Sequence, residues 1–221
     1  MDALRENRSV GILAWFSLGK DQMTPQRDPE STRAALIEVA AEEFTTRGYE
    51  GASLSEIISK AEVSKGGLYH HFSSKQALAY AVFDEVFLPT FLHKWDDALE
   101  QDDPAQALYE KISRFIAEVT PEMLAEGCPM IKMAMELGQI DPGIRDRVHS
   151  AFTSMRNRFL DALTRAQLAG SIKASADPRA AAAFIVASFQ GLSLQAQHSG
   201  DVESFQAGGS CLADFILSLK H

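Results

Sequence analysis

From residue 28 onward apolar residues recur three and four positions apart, and almost no stretch alternates with the two-residue period of a strand, so the pattern predicts an all-α chain. The first run is capped by Ser31, brings Ala35, Leu36, Val39, Ala40, Glu43 and Phe44 round in one stripe, and stops at Gly48. Ser53 followed by Glu56 has the form of a capping box, and Leu54, Ile57, Ile58 and Ala61 supply the buried face of a short second helix. After a break at Glu62-Val63, Ser64 caps a third short helix through Gly66, Gly67, Leu68, Tyr69 and Phe72. Ser73-Ser74-Lys75 then opens a longer apolar run from Ala77 to Leu92, in which Pro89 predicts a kink or a junction.

Asp102-Asp103-Pro104 starts another helix that reaches Val119, and Thr120-Pro121 and Gly127-Cys128-Pro129 punctuate the segment after it. An acidic residue ahead of proline suits the first turn of a helix, and the pair recurs at Asp141-Pro142 and Asp177-Pro178. Long helices are therefore expected over 142–169 and 178–198, with a last one over 202–219 after Ser199-Gly200.

Two short helices joined by a tight turn, the second carrying small residues and a basic flank, suit a helix-turn-helix whose second helix enters the major groove of DNA. Gly66 and Gly67 are each unfavourable in a helix by about 1 kcal/mol relative to Ala, so close approach of the backbone to another surface would account for them. Ser53-Leu54-Ser55-Glu56-Ile57, then Val63-Ser64-Lys65-Gly66-Gly67-Leu68-Tyr69-His70-His71-Phe72, then Lys75-Gln76-Ala77-Leu78 resembles the TetR (tetracycline-repressor-like) family of transcription regulators. By motif the resemblance covers residues 31–80, and it reaches the remainder only through helix number and length.

The resemblance implies an N-terminal three-helix DNA-binding domain, expected over 28–76, and a C-terminal helical domain over 77–221 that binds a small ligand and dimerises. It places Lys65, Gly67 and His70 against base edges, and Ser53, Ser64, Tyr69 and Lys75 against phosphates, with Arg33 a further phosphate contact. The chemistry fits: lysine donates to guanine O6 and N7, and a hydroxyl at a helix N-cap sits beside amides that favour a phosphate. Glu62 departs from the pattern, standing where the family usually has glycine, in a backbone conformation expected to be left-handed.

Charge sharpens this picture. The net charge is -9, which argues against a protein that coats nucleic acid by bulk positive charge. The acid is concentrated after residue 80, whereas Lys60, Lys65 and Lys75 face only Glu62 between positions 60 and 75, with His70 and His71 beside them. Two cysteines, Cys128 and Cys211, lack metal-site spacing and are too few for a disulfide framework, so no metal or cofactor is expected and a reducing cytoplasm is the expected location. No apolar stretch approaches the roughly 20 residues that span a bilayer. Residues 1–27, with their apolar stretch from Val10 to Leu18, are expected to be an extension without fixed structure, and Met23 would be a natural start for the helical chain.

In the C-terminal part, Phe91, Trp95, Phe115, Met133, Phe152 and Met155 are candidates to line a ligand cavity, with Arg156 as a polar group beside it and His149, Asn157 and Gln190 as further polar candidates. Cys128 falls at the start of a helix, where the dipole favours thiolate, and Gly127-Cys128 resembles a TetR subgroup that includes the N-ethylmaleimide reductase repressor, an electrophile sensor. Ala180 to Ala183, Ala187, Ser188 and Gly191 make a small-residue face flanked by Phe184, Ile185 and Phe189. Phe205, Leu212, Phe215, Ile216 and Leu219 make a second stripe, and the two suit a four-helix dimer interface.

The expected function is a homodimeric, ligand-responsive repressor, released from a palindromic operator in double-stranded DNA by a small apolar or electrophilic molecule, with no membrane partner. The alternatives are a ligand-independent DNA-binding protein, or an enzyme with Cys128 as nucleophile and a base such as His149 within reach.

Overall fold

The computed structural model describes residues 28–221; the expectations for the extension at 1–27 lie outside the described residues. The described chain is helical throughout apart from one isolated antiparallel bridge between Ile172 and Lys220. In order, the helices are α1 (Pro29–Gly51), α2 (Leu54–Lys60), α3 (Lys65–His71) and α4 (Lys75–Val82), a π-helical segment (Phe83–Phe87), α5 (Leu88–His93), α6 (Asp96–Leu99), α7 (Pro104–Glu118), α8 (Pro121–Glu126), α9 (Pro129–Leu137), α10 (Pro142–Leu168), α11 (Pro178–Ser199) and α12 (Val202–Leu217).

Most boundaries follow from capping chemistry. Ser64, Ser74, Asp103, Asp141 and Asp177 each accept a backbone N–H from the adjoining first turn, satisfying donors that helix geometry leaves unpaired. Two details differ from expectation. The first helix is capped by Asp28, which accepts from the Ser31 N–H at 2.7 Å, so Ser31 lies inside the first turn. Ser53 does cap α2, but Glu56 does not close a capping box: its carboxylate takes Arg47 at 2.7 Å and ties α2 to α1 instead. Pro89 stands at the start of α5, directly after the π-helical segment, so the long run from Ala77 is divided there.

The buried face of α1 (Leu36, Ile37, Ala40, Phe44) meets Ile57 of α2, Leu68 of α3 and Leu78 and Val82 of α4, forming a small N-terminal head. This core runs without interruption into the body, through Phe83, Leu108, Ile112, Ile144, Met155, Phe159, Ile185 and Ile216. Each such side chain contributes about 1.5–3 kcal/mol by leaving water, so head and body cohere mainly by apolar burial. In the body α7 lies along α12, and α11 packs against both α10 and α12.

The joint between head and body is built on α9 and the start of α10. α1 kinks at Gly48 (φ 74°, ψ 172°), which interrupts the helical ladder and leaves polar backbone on either side. α9 serves both sides: Lys132 donates to the Thr45 carbonyl and Glu136 accepts the Glu50 N–H, each at 2.9 Å. A Cβ at Gly48 would stand 2.2 Å from a Glu136 carboxylate oxygen, so the absence of a side chain there admits this contact. Asp141 caps α10 and also accepts from Gln76 and from the Tyr80 hydroxyl of α4, both at 2.7 Å.

Candidate functional site

α2 and α3 are joined through a turn that holds them rigidly. Val63 N–H donates to the Ile58 carbonyl at 3.1 Å and Glu62 N–H to the Ser59 carbonyl at 3.2 Å, the paired bonds of a Schellman motif. That motif requires a left-handed residue, and Glu62 supplies it with φ 53°, as its position in the turn led one to expect. Ser64 Oγ then accepts from Gly67 N–H at 3.0 Å and starts α3. Gly67 has a reason internal to the fold: a Cβ there would stand 2.8 Å from a Val63 methyl. Gly66 meets no such crowding.

Leu68 anchors α3 to the head, while Ser64, Lys65, Tyr69 and His70 are exposed along its outer side. Tyr69 is 47% exposed, a large aromatic surface turned away from the core, and His70 packs edge-on to His71 with ring centroids 4.9 Å apart. Ser53 is half-buried at the start of α2, its hydroxyl accepting the Ser55 N–H.

The cations of the basic window are used unequally. Lys60 is bound at 2.5 Å to Glu43, a carboxylate buried within α1, and Arg47 approaches the other Glu43 oxygen at 3.3 Å. Lys75 lies over the Tyr49 ring at 4.4 Å, and burial lowers its pKa. Arg33 holds Glu85 through both carboxylate oxygens, at 2.7 and 2.5 Å, and also covers the Phe72 ring. In this conformation Arg33 therefore locks α1 to the π-helical segment, and Lys65 is the cation projecting from α3 itself.

A second arrangement lies in the body. Trp95 packs edge-on against Phe189 (4.9 Å) and Phe159 (5.8 Å), and Phe115 meets Phe189 at 6.1 Å. Into this group reaches Lys94, its ammonium 4.9 Å from the centre of Phe189, 5.1 Å from Phe115 and 5.7 Å from Trp95. Lys94 is exposed, yet desolvation by the surrounding protein lowers its pKa, outweighing the opposing effect of Cys128, and the like charge of Lys111 lowers it further.

Of the residues expected around a ligand, Trp95, Phe115 and Cys128 come together here. Phe91 and Phe152 form a separate edge-on pair at 5.5 Å, and Met133 and Met155 are buried in the continuous core. Arg156 is not brought into the group, because its guanidinium donates to Thr153 on its own helix. The expected thiolate at Cys128 is reversed: burial pushes the thiol's pKa up, outweighing the amides of Ile131 and Met130 and the nearby charges of Lys94 and Lys132. Lys94 and Phe189 were missed as members of this group. Lys94 sits in His93-Lys94-Trp95-Asp96-Asp97, which reads as a solvated stretch, and Phe189 lies among the small residues of α11.

The proposed dimer stripe is also redistributed. Ile185, Phe189, Phe205, Leu212, Ile216 and Leu219 are buried within the single chain. The outer face of α11 and α12 instead carries Ala183, Phe184, Ala187 and Cys211, with a groove of about 310 Å³ lined by Phe184, Ser188, Gly191, Leu192, Gly208 and Cys211 among others. Phe184 is 50% exposed and stacks edge-on with Phe215 at 4.6 Å.

An all-helical body carrying a helix-turn-helix head with an exposed, N-capped second helix defines a DNA-binding regulator of the helix-turn-helix class. Residues 36–82 match the bacterial regulatory proteins of the tetR family, and residues 104–208 match the tetracyclin repressor-like C-terminal domain; the chain belongs to the TetR family. It is similar to the HTH-type transcriptional repressor DhaR of Mycobacterium sp. (strain GP1), with 28% identity over 74% of this chain and 81% of that one. Among solved structures, the reduced form of E. coli NemR superposes with a TM-score of 0.72 at 21% identity, covering 86% of this chain and 98% of that one. A TetR transcriptional regulator from Chloroflexus aurantiacus J-10-FL also has a TM-score of 0.72, at 24% identity over 87% of this chain and 97% of that one. No helix among the described residues is long and apolar enough to cross a membrane.

Proposed function

We propose that the chain works as a homodimer that binds a palindromic operator through α3 of each protomer and leaves it when a small molecule binds the C-terminal body. The observation that carries this is α3 itself: a capped two-turn helix, anchored by one buried leucine, whose free side presents Ser64, Lys65, Tyr69 and His70. Lys65, Gly67 and His70 address base edges in this reading, and Ser53, Ser64, Tyr69 and Lys75 address phosphates. Arg33 joins them on release from Glu85. The two-fold axis falls on the outer face of α11 and α12, where small residues allow close helix approach.

α9 is the connecting element, with Cys128 at its N-terminus and Lys132 and Glu136 bound to the kink of α1. A ligand that displaces α9 moves the head through those two bonds. A preference of about 2–3 kcal/mol for the released conformation would lower DNA affinity roughly 30- to 150-fold, within the usual range of allosteric coupling. The protein acts in the cytoplasm, on the DNA it reads, and without catalysis: burial keeps the Cys128 thiol protonated, and His149 is exposed on α10.

The test is selection from a random pool of duplexes by the purified protein at moderate salt, followed by sequencing. An enriched palindrome is expected, with Lys65→Ala and Tyr69→Ala each weakening its binding while dimer mass and helicity stay unchanged. Equal binding by both variants would refute the assignment of α3.

A further inference from the structure

We propose that Asp141 is a positioning residue that sets the angle of the head on the body, and with it the half-site spacing that the dimer accepts. The proposal rests on the reading of a homodimer bound to a palindrome and adds what determines its choice of spacing.

The apolar core shared by head and body is non-directional, so it holds them together without fixing how one is turned on the other. Directional contacts do that. Asp141 is 7% exposed; the other buried carboxylate, Glu43, serves α1 and α2 within the head, whereas Asp141 bridges head and body. Its Oδ1 accepts both the Ile144 N–H that starts α10, at 3.1 Å, and the Tyr80 hydroxyl, at 2.7 Å, while its Oδ2 accepts from Gln76. One carboxylate thus orients α10 of the body and α4 of the head.

Tyr80 is seated for this role. Arg147 lies over its ring, 4.1 Å from the centre, and is itself held by Asp84 and the Gly143 carbonyl. A Cβ at Gly143 would stand 2.3 Å from the Tyr80 hydroxyl, so the backbone of α10 meets the phenol directly. The turn that carries Asp141 is fixed in turn, since the N–H groups of Ile140 and Asp141 both donate to the Leu137 carbonyl at the end of α9, at 3.0 and 2.7 Å. Before this turn, Glu136 holds the kink of α1. The head is therefore gripped on α1 and on α4, and a unit held on two helices does not pivot about either.

In a two-fold dimer this grip fixes both the separation and the relative turn of the two α3 helices. Each added base pair moves one half-site about 3.4 Å along the duplex and turns it by about 35°. Gripped heads follow such a change only by deforming the DNA, whereas loosened heads follow it freely.

The test separates head angle from stability. Tyr80→Phe combined with Gln76→Ala removes both donors of α4 and leaves Asp141 to cap α10; Asp103→Ala removes the cap of α7, away from the joint, and serves as control. The full-length parent and both variants are titrated with the selected palindrome and with duplexes whose half-sites stand one base pair closer or farther apart. The parent is expected to prefer the selected spacing by about 10-fold or more, the double variant by no more than about 3-fold, and the control as much as the parent. A destabilised protein would lose affinity for all three duplexes alike. A parent indifferent to spacing, a double variant that keeps the preference, or a control that loses it would overturn the proposal.

Head-to-head distances in the DNA-free dimer are measured in parallel, between spin labels at Ser59→Cys, an exposed position on α2, in a chain carrying Cys128→Ala and Cys211→Ser. The parent should give one narrow distribution and the double variant a broad one; equal widths, or a parent that is monomeric, would overturn the proposal. If the parent selects a palindrome but the double variant keeps its spacing, the regulator stands and the role of Asp141 falls. If no palindrome is selected, the operator reading falls, and the distance distributions still decide whether Asp141 fixes the heads.

Discussion

Glu62→Gly should make this protein more stable and bind DNA more tightly, for two separable reasons. Glu62 holds φ 53° because the bonds from Val63 to Ile58 and from Glu62 to Ser59 close only with a left-handed residue at that place. An L-residue costs about 1–2 kcal/mol in that conformation. Glycine removes the cost but returns about 0.5–1 kcal/mol through the greater freedom of the unfolded chain. The net gain is about 0.5–1 kcal/mol, which for a chain of this length raises Tm by roughly 1–4 °C. Glu62→Ala keeps the strained backbone and removes the carboxylate beside α3. Thermal melts followed by circular dichroism at one fixed protein concentration should therefore rank Gly above both the parent and Ala. Operator affinity at low salt should rise in both variants and converge with the parent as salt screens the charge. A glycine variant that melts with or below the parent, or an alanine variant that gains as much, would refute the strain argument.

Gly48→Ala should destabilise the protein by about 1–3 kcal/mol, since φ 74° with ψ 172° is nearly confined to glycine and the new methyl must displace Glu136; an unchanged Tm would contradict the account of the kink. Burial raises the pKa of Asp141, but hydrogen bonds from Gln76, Tyr80 and the amides of Ile144 and Gly143 outweigh it and leave the pKa lowered. Its stabilisation is thus present above the unfolded value of about 3.9 and lost as pH falls through the lower folded value. Asp141→Asn should cost about 1–3 kcal/mol at pH 7 and progressively less below pH 4, read from urea midpoints; a gap independent of pH would contradict this. Phe184→Asp, on the exposed face of α11, should shift the protein from dimer to monomer in light scattering without loss of helicity, and an unchanged mass would move the interface elsewhere.

The head was legible because its determinants are local. Ser64 caps the helix that starts one residue later, Glu62 forms the turn that its own neighbours close, and Lys65, Tyr69 and His70 fall on the outer side of α3 once Leu68 is turned inward. Such features depend on contacts within a few residues, and 3.6-residue periodicity with capping chemistry describes them well. Helix starts at Pro104, Pro142 and Pro178 were legible for the same reason.

Contacts between residues far apart in the chain were not. Arg33 looks like a cation available to phosphate until Glu85, 52 residues on, takes both its donors, and Lys60 belongs to Glu43 in the same way. Cys128 stands at a helix N-terminus, which favours thiolate, but the protein packed around it imposes a larger desolvation of opposite sign. Phe189 and Leu212 sit on helices with small, apolar faces, and only the rotation of α11 against α10 and α12 turns them inward and leaves Phe184 outside. Lys94 is the clearest case. By sequence it is one polar residue in a charged turn, and the packing of α5, α7, α9 and α11 sets its ammonium among three rings without an anion. Sequence alone determined the class of fold and the capped, exposed second helix of the helix-turn-helix, because short-range periodicity and capping encode them. Tertiary structure decided which charges are neutralised, which rings are enclosed and which face stays open, because those properties depend on the distance between side chains that the chain brings together only by folding.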